Sequence, residues 1–403
     1  MSEPTSTPTQ TSATEATATR GPRSLPLPGA KRATVIGAGS FGTALAVVLA
    51  RGGLRTTLQT HTVEQALQLE DEGQNRAYLP GVELPAQLRI EPPSAGVERA
   101  DYVFLAVPSQ ALGAVIAGLS EAGLGRRTAV VSVAKGLVPP EGSPPTSILS
   151  AAFGAHRVAC LGGPAHAQEM VHFGAGLVAA SHDEELVGRL AQVFMRAGVV
   201  CERSNDPLGV ELAGAAKNAA ALAAGATEAQ GLNAAGAAAG HIFAEVWRYA
   251  ESLGARPESM IGLAGAGDLV ATALAPESRN RRAGELLAAG VPAAEIPTRI
   301  GQAVEALESV PLLARALERV GGATNEGSSN PSHSRSGVAE RASEQASDAP
   351  GERAPITSAL GRLISGELPL EEWVALVRAT VPPPARWRRP QPGFWRRVWR
   401  RLF

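Results

Sequence analysis

Residues 33–53 read "ATVIGAGSFGTALAVVLARGG": a short apolar run, three glycines, then a stretch rich in alanine and leucine. Gly37, Gly39 and Gly42 stand in G-x-G-x-x-G spacing, directly after strand-forming residues and directly before helix-forming ones. Each glycine has a physical task there. One permits a tight turn, one lets the backbone approach an anion, and one lets helix pack closely on strand, with the helix N-terminus facing the negative charge. A glycine-rich turn opening any α/β domain would share the spacing, but the strand before and the helix after make dinucleotide binding the expected role.

The pattern continues outward from this unit. From about residue 30 to 204, β-rich runs ("RATVIG", "RTTLQT", "DYVFLAV", "TAVVSVA", "RVACLGG", "AGLVAAS", "GVVCERS") alternate with amphipathic or alanine-rich segments. Such alternation predicts an α/β fold, a Rossmann-type, mostly parallel, doubly wound sheet. After Pro207 the composition turns helical, in "LGVELAGAAKNAAALAAGATEAQ", "NAAGAAAGHIFAEVWRYAESLG" and "IGQAVEALESVPLLARALERVG", so an all-α C-terminal domain is expected over 205–322 and 355–380. Residues 323–354 read as a flexible polar insertion and 1–28 as a disordered arm, because neither can bury enough apolar surface to offset chain entropy. Residues 381–403 form a basic, tryptophan-rich tail.

Composition narrows the function. A length of 403 residues and a net charge of −1 fit a globular protein with no general attraction to nucleic acid. The two cysteines, Cys160 and Cys201, lack CxxC spacing and support neither a disulfide framework nor a cysteine metal site, which suits a reducing cytoplasm. No run approaches the roughly 18 apolar residues of a membrane helix, and no signal-peptide core stands near the N-terminus.

The chain has only three lysines, Lys31, Lys135 and Lys217, against thirty-four arginines. Lys217, in "ELAGAAKNAAALAAG", is either an ordinary exposed helix lysine or a buried one whose charge desolvation disfavours. The buried alternative lowers its pKa and suits proton exchange beside a carbonyl, a task that a permanently charged guanidinium cannot perform. Lys135, in "VSVAKGLVP", ends a predicted strand, where open α/β sheets bind ligands. Asp268, in "GLAGAGDLVATA", is a carboxylate in an apolar setting and calls for a partner. Arg279 to Arg282, in "PESRNRRAG", form either a solvated helix start or an anion site. At the end of the second strand Gln59, Thr60 and His61 include no acid, which leans the cofactor from NAD slightly toward NADP.

Taken together, "GAGSFGTALA", "NRAYLPGVELP", "AVPSQAL", "VAKGL", "GGPAHAQE", "ELAGAAKNAAALAAG", "GLAGAGDLVAT", "SRNRRAG" and "IGQAVEA" resemble, in order, the bacterial NAD(P)-dependent sn-glycerol-3-phosphate dehydrogenases. The likeness covers about residues 31–322 and 355–380. It implies reduction of dihydroxyacetone phosphate to sn-glycerol 3-phosphate, feeding glycerophospholipid synthesis, with no metal. It implies that Lys217 is the proton donor and acceptor, with Asp268 and Asn218 orienting it. Lys135, Gly163, Ala165, Lys217, Asp268, Ser278, Arg279 and Asn280 fall at substrate positions. Gly37, Gly39, Ser40, Phe41, Gly42, His61, Lys135, Ala167, Arg279, Ala303 and Glu305 fall at cofactor positions.

Two departures stand out. Ala165 replaces a hydroxyl residue, and Gly240, His241 and Ile242 replace a Thr-Arg-Gly, which puts an arginine near the substrate in question. Two rival readings stay open on the sequence: another two-domain NAD(P)-dependent dehydrogenase acting on a hydroxy acid or sugar acid, and a dinucleotide-binding sensor without catalysis. In the tail, Phe394, Trp395, Val398, Trp399 and Leu402 share one helical face and Arg396, Arg397, Arg400 and Arg401 the other. That pattern suits peripheral contact with an anionic membrane, and equally a disordered end or a helix docked on the enzyme. A homodimer is a further expectation.

Overall fold

A computed structural model of the chain describes residues 31–93, 96–275, 277–323 and 355–380. The N-terminal arm, the tail and, apart from Ala323, the insertion lie outside the described residues, and so do the readings that fell on them.

Eight strands among the described residues form one sheet in the order β3-β2-β1-β4-β5-β6-β7-β8. They are β1 Arg32–Ile36, β2 Arg55–Gln59, β3 Arg89–Glu91, β4 Tyr102–Leu105, β5 Ala129–Ser132, β6 Val158–Gly162, β7 Gly176–Ala180 and β8 Val200–Ser204. All neighbours run parallel except β6 and β7, so the sheet is the expected doubly wound one. The seven strand runs read from the sequence are present. The eighth strand, β3, was not expected: it has three residues, sits at the sheet edge and is not fully buried, so it lacks the apolar alternation that marks a strand.

Helices cover both faces. In the strand-bearing half they are α1 Ser40–Arg51, α2 Val63–Glu72, α3 Leu112–Ala122, α4 Pro145–Phe153, α5 Ala167–Phe173 and α6 Glu184–Arg196. Strands β4 and β5 are buried along their whole length, as a sheet covered on two sides requires. The strand order reverses between β1 and β4, and the crevice at that switch point is where open α/β sheets take ligands.

Among the described residues from Pro207 on, every regular element is helical: α7 Pro207–Thr227, α8 Leu232–Ser252, α9 Pro257–Ile261, α10 Asp268–Leu274, α11 Arg279–Ala288, α12 Ile296–Ile300, α13 Glu305–Ala323, α14 Pro355–Ser365 and α15 Leu370–Thr380. Helix α7 is the axis, buried almost end to end. Its alanines and glycines let neighbours approach closely. A Cβ on Gly225 would meet the Arg281 carbonyl oxygen at 2.0 Å, and one on Gly284 would meet that of Leu222 at 2.1 Å, so α7 and α11 touch backbone to backbone. Trp373, fully buried on α15, donates from Nε1 to Thr227 Oγ1 at 3.2 Å and fastens the last helix to the end of α7. Buried Glu245 of α8 accepts from the Ile356 and Thr357 amides and so caps α14.

The run 300–321 is not one helix. Gly301, at φ +77°, ends α12, and α13 starts at Glu305. The residues between them are used in the site.

Candidate active site

The glycine-rich loop divides its three tasks as the spacing requires. Gly37 has φ +109°, and a Cβ there would meet the Ala106 carbonyl oxygen at 2.4 Å. A Cβ on Gly42 would meet the Gly37 carbonyl oxygen at 1.9 Å, so this glycine keeps α1 against the turn. A Cβ on Gly39 would meet nothing within 4 Å; its bare backbone faces open space at the head of α1. No side chain caps that helix, and its first amides are left for an anion. This cradle fits the pyrophosphate of a dinucleotide.

At the end of β2, Gln59 and Thr60 are buried and His61 is exposed. Thr62 caps α2 by accepting from the Gln65 amide, and Gln65 Oε1 accepts from the His61 amide at 3.1 Å. Gln65 Nε2 also reaches the Ala38 carbonyl at 3.4 Å, which ties His61 to the glycine-rich loop. The three residues Gln59, Thr60 and His61 include no acid, while Glu91 of β3 accepts from the Thr60 amide through its carbonyl at 3.0 Å and Glu64 stands in the first turn of α2.

The centre of the site is Asp268, fully withdrawn from solvent at the start of α10. Lys135 Nζ donates to its Oδ2 at 2.6 Å and to the Gly163 carbonyl at 3.2 Å. Lys217 Nζ lies 3.4 Å from its Oδ1 and donates to Thr272 Oγ1 at 3.0 Å. Burial alone would raise the Asp268 pKa, but the two ammonium groups outweigh it and hold the carboxyl below its ordinary range. For Lys217, burial and the like charge of Lys135 outweigh the pull of Asp268 and lower the pKa to about 8.

Asn218, next along α7, is not bonded to the Lys217 side chain. Its Nδ2 donates to the Lys135 carbonyl at 3.3 Å and to Glu305 at 3.2 Å, and its Oδ1 accepts from Asn280 at 2.9 Å. Neighbouring residues on a helix point about 100° apart, so Asn218 meets a different set of partners from Lys217. Asn280 Oδ1 in turn accepts from the Ala306 amide at 3.3 Å. Arg279, exposed at the start of α11, donates to Gln302 at 3.2 Å and to the Ala303 carbonyl at 3.3 Å. Ser40 Oγ also reaches Gln302, at 3.4 Å, so Gln302 bridges the glycine-rich loop to the arginine. Ser278 caps α11.

Gly163 has φ +100°, with no room for a Cβ against the Gly176 carbonyl. Ala165 is buried, and Ala167 opens α5 against the sheet core. Phe41, partly buried, packs on the same core from α1. Of the residues that replace Thr-Arg-Gly, Ile242 is buried in the helical core and Gly240 and His241 are exposed; none is bonded to the cluster around Asp268. Sequence reasoning missed Thr272 and Gln302. Thr272 carried a signal, since it lies one helical turn after Asp268 on the same face.

Known proteins match this chain along both halves. The family model described as NAD-dependent glycerol-3-phosphate dehydrogenase N-terminus matches residues 32–187, and its C-terminus counterpart matches 206–325. A glycerol-3-phosphate dehydrogenase [NAD(P)+] of Deinococcus radiodurans is 41% identical over 286 residues, 69% of this chain and 83% of the relative. One from Thermus thermophilus is 41% identical over 264 residues, 64% of this chain and 80% of the relative. The crystal structure of glycerol-3-phosphate dehydrogenase from Coxiella burnetii superposes with a TM-score of 0.73 at 26% identity, covering 88% of this chain and all of that one.

Proposed function

The chain belongs to the NAD-dependent glycerol-3-phosphate dehydrogenase family, and from that membership we propose how its residues divide the work. It is an NAD(P)-dependent oxidoreductase that reduces dihydroxyacetone phosphate, reversibly, to sn-glycerol 3-phosphate, a precursor of glycerophospholipids. NADPH or NADH supplies the hydride when bound. Gly37, Gly39 and Gly42 with the head of α1 hold its pyrophosphate. The exposed His61, at a strand end whose residues Gln59, Thr60 and His61 include no acid, favours the phosphate of NADP over the free ribose hydroxyl of NAD.

Lys217 gives a proton to the alkoxide that forms at the reduced carbonyl and takes it back in the reverse direction. The observation that carries this role is the burial of Lys217 beside Asp268 with a pKa of about 8, within reach of both protonation states near neutral pH. Asp268 fixes the two ammonium groups in place. Lys135 polarises the carbonyl from the strand end, and Arg279 with Asn280 at the head of α11 takes the substrate phosphate.

The reading is tested by NADPH oxidation with dihydroxyacetone phosphate beside unphosphorylated dihydroxyacetone, and beside NADH. Turnover should require the phosphate. In Arg279→Ala the KM for the phosphorylated substrate should rise about tenfold or more, and an unchanged KM would remove Arg279 from the phosphate site.

Among the described residues no single helix is long and apolar enough to cross a membrane. Peripheral docking of the tail 381–403 on an anionic membrane rests on its alternation of tryptophans and arginines. Equal binding of anionic vesicles by the full chain and by one ending at Ala385 would exclude it. Assembly as a homodimer is a further proposal, checked by sedimentation.

A further inference from the structure

Strands β1, β2, β4 and β5 run parallel, so their C-terminal ends lead into the site and their N-terminal ends share the opposite edge of the sheet. Basic residues gather at that second edge. Arg32 opens β1, Arg55 opens β2 and Arg89 opens β3, while Arg99 precedes β4 and Arg126 and Arg127 precede β5. All six are exposed, as is Lys31 beside them. Backbone hydrogen bonds hold these strand starts side by side: the Arg55 amide donates to the Lys31 carbonyl at 3.0 Å, the Asp101 amide to the Arg32 carbonyl at 2.9 Å, and the Ala129 amide to the Asp101 carbonyl at 2.9 Å. Arg99, Arg126 and Arg127 line one hollow between the starts of β4 and β5, together with Glu98 and Asp101.

Pairing within the chain does not account for this charge. On its helices the chain matches arginines with acids one turn away, as in Arg189 with Glu185, Arg281 with Glu285 and Arg299 with Glu295. At the sheet edge, Asp101 takes Lys31 Nζ at 2.9 Å and the Arg32 amide at 2.9 Å. The side chains of Arg32, Arg55, Arg89, Arg99, Arg126 and Arg127 form no ion pair among the described residues. Arg32 and Arg55 are even register partners in neighbouring strands, where like charges repel. Such an arrangement costs stability in the free protein and is relieved by an outside anion. Neighbouring strands lie about 4.8 Å apart, so from β3 to β5 the cations cover a face about 20 Å wide.

We infer that this edge docks on the anionic headgroups of a phospholipid bilayer, whose phosphate oxygens accept from the arginines. A broad face rather than a groove suits a surface. Single-stranded nucleic acid calls for aromatic platforms on which bases stack, and the exposed Tyr78 and Phe173 both lie away from these strand starts. So seated, the protein turns the C-terminal ends of the same strands, with Gly37, His61 and Lys135, away from the bilayer and leaves the site open to cofactor and substrate. The face is separate from the tail 381–403, and the inference does not rest on the role given to Lys217.

The test is co-sedimentation of the full chain with vesicles of phosphatidylglycerol and phosphatidylcholine, beside vesicles of phosphatidylcholine alone, in about 0.1 M salt, where charges are felt over about 10 Å. The parent should bind the anionic vesicles and not the neutral ones. Arg32→Gln/Arg55→Gln/Arg126→Gln/Arg127→Gln, with the tail in place, should bind them about tenfold or more weakly. Arg203→Gln/Arg248→Gln/Arg315→Gln/Arg362→Gln removes as many exposed charges from β8, α8, α13 and α14 and should stay within about twofold of the parent. Turnover of the edge variant without vesicles should match the parent and report that it is folded. If it does not fold, Arg126→Gln/Arg127→Gln, confined to a turn, should still lose about threefold or more. Parent enzyme on anionic vesicles should turn over within about twofold of its rate in solution, because the site faces outward.

No binding of anionic vesicles by the parent would overturn the inference, as would equal binding by the edge variant or equal losses in the edge and control variants. Unchanged vesicle binding joined to a loss of polyuridylate binding in the edge variant would make the partner an RNA instead. Loss of turnover on the vesicles would contradict the outward orientation of the site.

Discussion

Lys217 Nζ lies 3.4 Å from Asp268 Oδ1 at a point where the carboxylate has no exposed surface and the lysine almost none. The same carboxylate binds Lys135 at 2.6 Å, so one buried negative charge serves two cations. Burial, the largest influence, and the like charge of Lys135 push the proton affinity of Lys217 down, Asp268 and Glu305 pull it up, and the balance falls at about 8.

Reduction needs Lys217 as ammonium and oxidation needs it as amine. The kcat for reduction should therefore fall as pH rises through about 8, and that for oxidation should rise over the same range. Replacing Lys135 by methionine removes the repulsion and leaves Asp268 wholly to Lys217, so the inflection should move to higher pH. An inflection that stays put or moves lower in that variant contradicts the charge balance.

The nucleotide loop offers a matched pair of substitutions. Gly42→Ala forces a methyl into the Gly37 carbonyl and should lower the melting temperature, whereas the methyl of Gly39→Ala enters open space. Gly39→Ala should melt within about a degree of the parent yet bind NADPH about tenfold or more weakly, because the methyl occupies the approach of the pyrophosphate. Undiminished NADPH affinity in Gly39→Ala would place the dinucleotide elsewhere.

Glu211, buried on α7, accepts from the Thr146 amide at 2.9 Å and pairs with its hydroxyl at 2.7 Å. Burial raises its pKa from 4.5 to about 8 against the pull of those bonds. A raised folded pKa contributes stability that is full below about 4.5 and is lost as pH climbs through about 8. Glu211→Gln carries no such charge, so its melting temperature should gain on the parent between about pH 5 and about pH 8. A constant difference over that range would show that Glu211 titrates normally.

The sequence made the nucleotide end legible because G-x-G-x-x-G encodes backbone geometry directly, and Gly37, Gly39 and Gly42 each meet the surroundings that their spacing implies. Lys217 was legible through scarcity, as one of three lysines in an arginine-rich chain. Its neighbours were harder to place. Lys135 and Asp268 are 133 residues apart, and only the docking of α10 against the strand end brings them together. Asn218 was expected to help orient Lys217, yet neighbours on a helix direct their side chains apart, and its side chain bonds Lys135, Glu305 and Asn280. Gln302 was hidden in a run whose composition reads as helix, although the turn at Gly301 is what frees it to meet Ser40 and Arg279.

The most direct test of the whole account is the turnover of Lys217→Met with saturating NADPH and dihydroxyacetone phosphate, read beside its NADPH affinity. The expected result is a kcat lower by about 10³-fold with NADPH affinity within about twofold of the parent. Turnover within tenfold of the parent would contradict the assignment of the proton to Lys217.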